Sequence, residues 1–396
     1  MLASGNCLSL DNHPASWLQC EEEFNCVIPK GEDNLAVVAM SGGVDSSVAA
    51  VAMSLANVPS IGVSLQVWDY RQKGGGVACS KASCCAPSDF NDARSVASKF
   101  NIPYYVFDME QVFEKEVINK FIDAYYQGNT PNPCVECNNK VKFRELRERG
   151  LALGGTHVVT GHYARVCRGL KGFELHRGVD RSKDQSYFLY GLLREELAGT
   201  IFPLGHLEKS QVRSIAAAYG LVTASKPESQ DICFVSGSVQ EFITRVGRRK
   251  KISGDIVLED GTVIGNHEGV HNFTVGQRRG VGVGGNDVPL YVIALDPVRQ
   301  QVTVGPKASL QRDVFWIRDF NWLLEDLPVT TFEAIVQVRS RHEGTKVRVS
   351  IEDRSLIKVE FIDEWIPVAA GQAGVIYGLD NSRVFGGGTI SSKLCY

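Results

Sequence analysis

Between residues 35 and 165, short continuous apolar runs alternate with segments whose apolar positions recur at helical spacing. Leu35 to Met40, Ser60 to Leu65, Tyr104 to Phe107 and His157 to Thr160 read as buried strands, and Ser46 to Ala56, Asp89 to Phe100, Glu110 to Gln127 and Asn138 to Arg149 as helices. Strands alternating with helices imply a parallel sheet, whose ligands sit beyond the carboxyl ends of the strands, here at the loops after Met40, Leu65 and Thr160. A further helical pattern, Leu207 to Tyr219, stops at Gly220. Beyond Ile252 the period shortens. Asp255 to Leu258, Thr262 to Ile264, Leu290 to Ala294, Gln301 to Val304, Thr331 to Val338, Lys346 to Ile351 and Val375 to Tyr377 are β-like runs split by Gly, Asp and Pro, which predicts a barrel or sandwich. The chain thus reads as an extension over 1–34, an α/β domain over 35–204, a small central domain over 205–285 and a C-terminal β domain over 286–396.

Composition changes this picture little. Of 396 residues, 44% are apolar and 22% charged, the usage of an ordinary folded chain. A net charge of -3 means that a nucleic-acid partner would have to meet a local basic face. Arg245, Arg248, Arg249, Lys250 and Lys251, with Arg278 and Arg279, offer one; a solvated charged surface is the competing reading of the 245–251 run. The longest uncharged stretch, 46–68, contains Asn57 and Pro59 and reads as helix, turn and strand, so no membrane span is expected. The acidic first 34 residues lack the apolar core of a signal peptide, and a cytoplasmic location follows as the expectation. Eleven cysteines, an odd number, favour reduced thiols, catalysis or metal binding over a disulfide framework.

Ser41-Gly42-Gly43-Val44-Asp45-Ser46-Ser47 joins an apolar strand to a small-residue helix. Its glycines let the backbone approach a phosphate, its serines offer hydroxyls, and the helix start presents amides to an anion. It lacks the lysine of a Walker A loop. Gly280 to Gly285 matches G-x-G-x-x-G, but a strand follows rather than a helix, so a flexible β connection is the better reading.

Two cysteine segments form the next constellation. In Thr130-Pro131-Asn132-Pro133-Cys134-Val135-Glu136-Cys137, the prolines stiffen an extended approach and a helix opens near Asn138, which would place the Cys137 sulfur near a helix start and favour its thiolate. Half of a zinc site and inert buried thiols are the alternatives for the Cys134–Cys137 spacing. Cys233 sits between Ile232 and Phe234, a setting that by itself suits packing as well as chemistry. Cys79, Cys84 and Cys85 make a further group of thiols with no assigned role.

The serine-glycine loop resembles the PP-loop of ATP pyrophosphatases. Taken with both cysteine segments and with Gly161-His162-Tyr163-Ala164-Arg165, Lys183 to Leu189, Gly276 to Gly280, Gly371-Gln372 and Gly386 to Gly388, the chain from about Leu35 to Ile390 resembles the tRNA-specific 2-thiouridylase family. That resemblance implies a Rossmann-like PP-loop domain, a small central domain and a tRNA-gripping C-terminal β-barrel. It implies ATP-dependent 2-thiolation of the wobble uridine of tRNAs for Lys, Glu and Gln, fed by a cysteine desulfurase or a sulfur-relay protein.

By the same resemblance, Ala39, Met40, Ser41, Gly42, Gly43, Val44, Asp45 and Ser46, with Leu65 and Gly161, bind ATP, and Asp45 is a candidate for Mg²⁺. Asn132, Pro133 and Cys134 meet the target base, while His162, Lys183, Asp184, Gln185, Arg339, Ser340 and Gln372 take tRNA-side positions. Cys233 carries a persulfide and Cys137 is the second thiol, the nucleophile of a disulfide scheme; alternatively Cys134, Cys137 and Cys233 hold a [4Fe-4S] cluster. Many relatives have Asp where this chain has Cys134, so no carboxylate role carries over there. Two other readings stay open: another PP-loop adenylating enzyme acting on a small molecule, and a zinc-binding RNA-binding protein.

Overall fold

The structure is a computed structural model that describes residues 34–68, 87–228, 232–235, 237–247, 252–282, 288–327 and 329–391. Cys79, Cys84, Cys85, Arg248, Arg249, Lys250, Lys251, the extension up to residue 33 and the second half of the glycine run 280–285 lie outside the described residues. The chain falls into two compact units, each assembled from separated stretches. The first takes the described residues up to Glu110, then Val141–Ser186 and Leu192–Gln230; the second takes Gln111–Lys140, Tyr187–Gly191 and the described residues after 231.

The first unit holds β1 (Ala36–Ala39), β2 (Ser60–Gln66), β3 (Tyr104–Asp108), β4 (His157–Val159), β5 (Ala164–Gly169), β6 (Gly172–Arg177) and β7 (Thr200–Ile201). Five of them form one parallel sheet in the order β3-β2-β1-β4-β7, as the strand-helix alternation required. β5 and β6 pair as an antiparallel hairpin that the apolar pattern did not announce. β1 lies between β2 and β4, so the loop that leaves it opens at the switch point of the sheet. The helix Val44–Leu55 follows that loop. Val48, Ala49, Ala50, Val51, Ala52 and Met53 are all fully buried on it, which explains its small residues: neighbours press on it from several sides, including Ile215 and Ala216 of the helix Lys209–Ala218.

The second unit begins at Gln111 within a helical run, Glu110–Phe113, Glu114–Asn119 in π-helical winding and Lys120–Tyr126, and continues with Pro133–Glu136 and the start of the π-wound stretch Cys137–Glu145, which from Val141 on belongs to the first unit. Later come the helix Val239–Gly247 and a sheet of β8 (Gly254–Val257), β9 (Val263–His267), β10 (Tyr291–Asp296) and β11 (Gln301–Gly305), ordered β10-β11-β8-β9. Strands on either side of the 285/286 limit set between the expected central and C-terminal domains share this sheet and its core of Ile256, Val292, Val302 and Val304.

β12 (Val314–Trp322), β13 (Thr331–Gln337), β14 (Thr345–Ile351), β15 (Ile357–Phe361), β16 (Ala373–Tyr377) and β17 (Val384–Ser391) close into a barrel in the order β12-β15-β14-β13-β16-β17. β17 escaped the sequence pattern because Gly386, Gly387 and Gly388 look like a breaker. Their reason is close approach: a Cβ would lie 2.2 Å from the Asn321 oxygen at Gly386, 2.6 Å from the Tyr190 ring at Gly387 and 2.3 Å from the Arg318 oxygen at Gly388.

Candidate active site

β1 delivers the chain through Met40 and Ser41 to Gly42, which adopts φ +72° where a side chain would strike the Asp89 carbonyl, 2.2 Å from a Cβ. The helix starts at Val44 with Gly43 as its cap, and no side chain takes its first-turn amides. That leaves donors facing outward at a positive helix end. The serines behave differently from the sequence expectation. Ser46 Oγ accepts from Ser41 N at 3.1 Å and donates to the Gly43 carbonyl at 3.1 Å, and Ser47 Oγ donates to the same carbonyl at 2.8 Å, so these two hydroxyls fix the loop. Ser41 alone is exposed. Gly161, beyond the end of β4, presses on the loop from beside: a Cβ there would lie 2.7 Å from the Asp45 carbonyl carbon and 2.8 Å from Ser46 N. Leu65, near the end of β2, is half-buried.

A layer of charge that sequence reasoning missed surrounds this loop within the same unit. Lys209 Nζ donates to both Asp45 oxygens, at 2.7 and 2.8 Å, and lies 3.2 Å from Glu228 Oε1. The Tyr163 hydroxyl donates to Asp45 Oδ1 at 2.8 Å; burial first, then the Asp45 charge, push its pKa far up and keep it a donor. Lys183 Nζ holds Glu228 Oε2 at 2.8 Å. Burial disfavours the Glu228 carboxylate, but Lys183 and Lys209 outweigh it and draw its pKa down. Lys226 Nζ donates to the Gly42 carbonyl at 2.8 Å and to Asp89 and Asp92 at 2.6 Å each. Burial opposes that ammonium, yet the two aspartates hold its pKa above the ordinary value. Lys209 opens a helix in the structure, where the dipole disfavours a cation unless a carboxylate is waiting; the sequence pattern, which began that helix at Leu207, hid this.

Both Asp45 oxygens face this ammonium, so the residues present do not make an open carboxylate site for Mg²⁺, and no step is derived through that ion. For the cluster reading the fit is no better: among the described residues no three His, Cys, Asp or Glu side chains gather as a metal-ligand set, and Cys134 is exposed while Cys137 and Cys233 are half-buried.

The two cysteine segments belong to the second unit. The helix carrying the first begins at Pro133 rather than near Asn138: Asn132 caps it, its Oδ1 accepting from Cys134 N at 3.1 Å. Cys134 therefore occupies the first turn, and Cys137 opens the π-wound stretch one turn further on, which corrects the placement of Cys137 at a helix start. Both segments dock on the helical run Glu110–Tyr126. Glu136 reaches Lys120 at 3.6 Å, and Phe234, next to Cys233, sits edge-on to Phe113 and Phe121 at 5.4 and 5.6 Å. The Pro-rich approach is gripped from the barrel side: Thr130 N donates to the Ala370 carbonyl at 2.9 Å, and Gln372 Nε2 donates to the Thr130 carbonyl at 2.8 Å. Beside it opens a cavity of about 190 Å³ lined by Phe121, Asn129, Pro131, Asn132, Pro133 and Tyr190 among others.

Several expected tRNA-side residues are engaged internally. His162 is buried between the rings of Phe143 and Phe202, each 5.9 Å away, with Nδ1 2.7 Å from Thr160 Oγ1; burial, helped by Lys142, holds it neutral well below the usual histidine range. In this unit it is packed as a core residue. The Asp184 carboxylate, 4% exposed, accepts from Arg177 at 2.6 Å and from Gly178 N and Ser186, and Gln185 Oε1 accepts from Tyr163 N. Arg339 and Ser340 are exposed on a turn whose carbonyls both accept from the buried Gln337 amide.

A parallel sheet opening at its switch point onto an uncapped, glycine-led helix start defines a nucleotide-using α/β enzyme. Residues 34–237 match the family model described as tRNA methyl transferase HUP domain, 240–306 the tRNA methyl transferase PRC-barrel domain and 312–390 the aminomethyltransferase beta-barrel domain. The chain is 43% identical over 360 residues to the tRNA-specific 2-thiouridylase MnmA of Rickettsia africae (strain ESF-5), covering 90% of this chain and 97% of that relative. It is 42% identical over 359 residues to that of Paracoccus denitrificans (strain Pd 1222), covering 90% and 91%. This chain belongs to the tRNA-specific 2-thiouridylase family. Among solved structures, it is similar to the U34-tRNA thiolase NcsA from Methanococcus maripaludis with its [4Fe-4S] cluster at 12% identity, over 59% of this chain and 72% of that one, with a TM-score of 0.35.

Proposed function

We infer that the chain uses ATP to replace the C2 oxygen of the wobble uridine of tRNA by sulfur, and that tRNAs for Lys, Glu and Gln are its substrates. A uridine carbonyl oxygen is a poor leaving group; transfer of AMP to it, with loss of pyrophosphate, makes it a good one. The amides of the Val44–Leu55 helix start suit the phosphates of ATP, and Gly42 and Gly161 let the loop that presents them pack tightly against Asp89 and the chain beyond β4. Sulfur arrives as a persulfide on Cys233, supplied by a cysteine desulfurase or relay protein. The Cys137 thiolate attacks the Cys233 sulfur of that persulfide, forming a Cys137–Cys233 disulfide and releasing hydrosulfide. Hydrosulfide then adds at C2 and AMP departs. A dithiol reductant takes the disulfide back to two thiols.

The observation that carries the sulfur chemistry is the docking of both cysteine segments on one helical run, by Glu136 on Lys120 and by Phe234 on Phe113 and Phe121. AMP formation measured with and without tRNA tests the whole reading. AMP that appears only with tRNA and in step with 2-thiouridine supports it. AMP without tRNA would point to a small-molecule adenylating enzyme, and bound zinc with no ATP turnover to an RNA-binding protein.

A further inference from the structure

Asp45 stands in the first turn of the helix whose amides are left for an anion, so its carboxylate puts a negative charge beside the place where a triphosphate would lie. Left alone, it would repel the nucleotide. Lys209 faces it with the ammonium at hydrogen-bond distance from both oxygens, on a side chain only 11% exposed. The Tyr163 hydroxyl adds a neutral donor to Oδ1, and the Lys209 ammonium lies 5.4 Å from the Tyr163 ring centroid. Glu228, the second carboxylate at Lys209, also meets Lys183 at 2.8 Å and Arg213 at 3.9 Å, so it has cations of its own besides Lys209. A lysine at the first position of its own helix is held against that helix's dipole, which the Asp45 and Glu228 contacts offset.

We propose that Lys209 is a positioning residue for the nucleotide: by neutralising Asp45 and holding its carboxylate, it makes the helix start acceptable to a polyphosphate. The proposal rests on the reading of this loop as the ATP site. It gives Glu228 a share in the same device, because that carboxylate binds the same ammonium.

Titration calorimetry of the intact chain with AMP, ADP and ATP, in the presence of a chelator so that no divalent ion intervenes, tests it. Lys209→Gln should weaken ATP by about tenfold to a hundredfold, the scale of one uncompensated charge near another at an effective dielectric of about 20, with ADP affected less and AMP least. The double variant Asp45→Asn with Lys209→Gln should bind ATP within a few-fold of the wild type, because no charge is left to neutralise. Asp45→Asn alone should bind ATP as tightly or more tightly, which keeps the test decisive should Lys209→Gln not fold. An equal loss for all three nucleotides, a double variant as weak as Lys209→Gln, or a tenfold weakening by Asp45→Asn would each overturn the proposal. Failure of the underlying reading looks different: the wild type itself would bind none of the three nucleotides.

Discussion

Gln372 Nε2 donates to the Thr130 carbonyl at 2.8 Å across 242 positions of sequence, and so ties the barrel to the stretch that leads into Cys134 and Cys137. Gly371 makes the contact possible: at φ +90° it lies so near Asn129 and Thr130 that a Cβ would come within 2.8 Å. The amide of Gln372 thus holds a protein segment. Gln372→Ala should cost about 1 kcal/mol of stability and slow thiolation several-fold while ATP affinity stays at the wild-type value. Urea unfolding and nucleotide titration check it; an unchanged thiolation rate would show that the tie is dispensable.

Cys233→Ser should abolish 2-thiouridine formation and leave ATP and tRNA binding intact, because the Phe234 ring anchors the segment to Phe113, Phe121 and Phe242. Mass spectrometry of digested tRNA reads the outcome. Normal product from this variant would remove Cys233 from the sulfur path.

Gly161→Ala should destabilise the protein by about 1–3 kcal/mol and weaken ATP, since the added methyl runs into the Asp45 carbonyl and the Ser46 amide. The comparison is the melting midpoint with and without saturating ATP. A variant that melts like the wild type and keeps its ATP affinity would mean that the loop has room to retreat.

Asp184→Ala should behave as a folding mutation. It strands Arg177, whose side chain is 4% exposed, at a cost of about 3–5 kcal/mol, and should lower soluble yield before any selective effect on tRNA is seen. Arg339→Ala, on an exposed turn, should leave stability unchanged and lower tRNA affinity in a salt-dependent way. The opposite pattern, a stable Asp184 variant with weakened tRNA binding, would restore Asp184 to the RNA face.

Acid should destabilise the first unit through its histidines. Burial, followed by the Arg165 charge, lowers His206 from 6.5 to about 4. The unfolded chain therefore takes up a proton below pH 6.5 that the folded chain refuses until about pH 4, and stability falls across that window by up to about 3 kcal/mol from this group. Above pH 6.5 the group is neutral in both states and contributes no slope. Unfolding free energies measured from pH 7 down to 4 should flatten in His206→Gln relative to the wild type; parallel curves would show that His206 does not set the slope.

The parallel sheet, the loop at its switch point and both cysteine segments were legible in the sequence because each rests on local pattern: period, glycine placement, proline before a helix. Lys209 and Glu228 were not, since their meaning lies in a partner 164 positions away in one case and 45 in the other. His162 and Asp184 stand beside real landmarks, and only burial reveals that their side chains turn inward. Cys137 was placed one helical turn wrong because Asn132, an ordinary cap residue, begins the helix earlier than the cysteine spacing suggested.

The second unit draws on three stretches of chain separated by the first, and that dictates an order of events during synthesis. Tyr187, whose hydroxyl donates to the Ala373 carbonyl, and Tyr190, whose carbonyl accepts from Asn321, leave the ribosome well before the barrel exists to receive them. At about 5–20 residues per second, they wait roughly 10–40 seconds with large aromatic surfaces uncovered. A nascent chain stalled within that interval is a natural client for a chaperone, and clipping the barrel from the gene would return every copy to that vulnerable stage rather than yield a smaller enzyme.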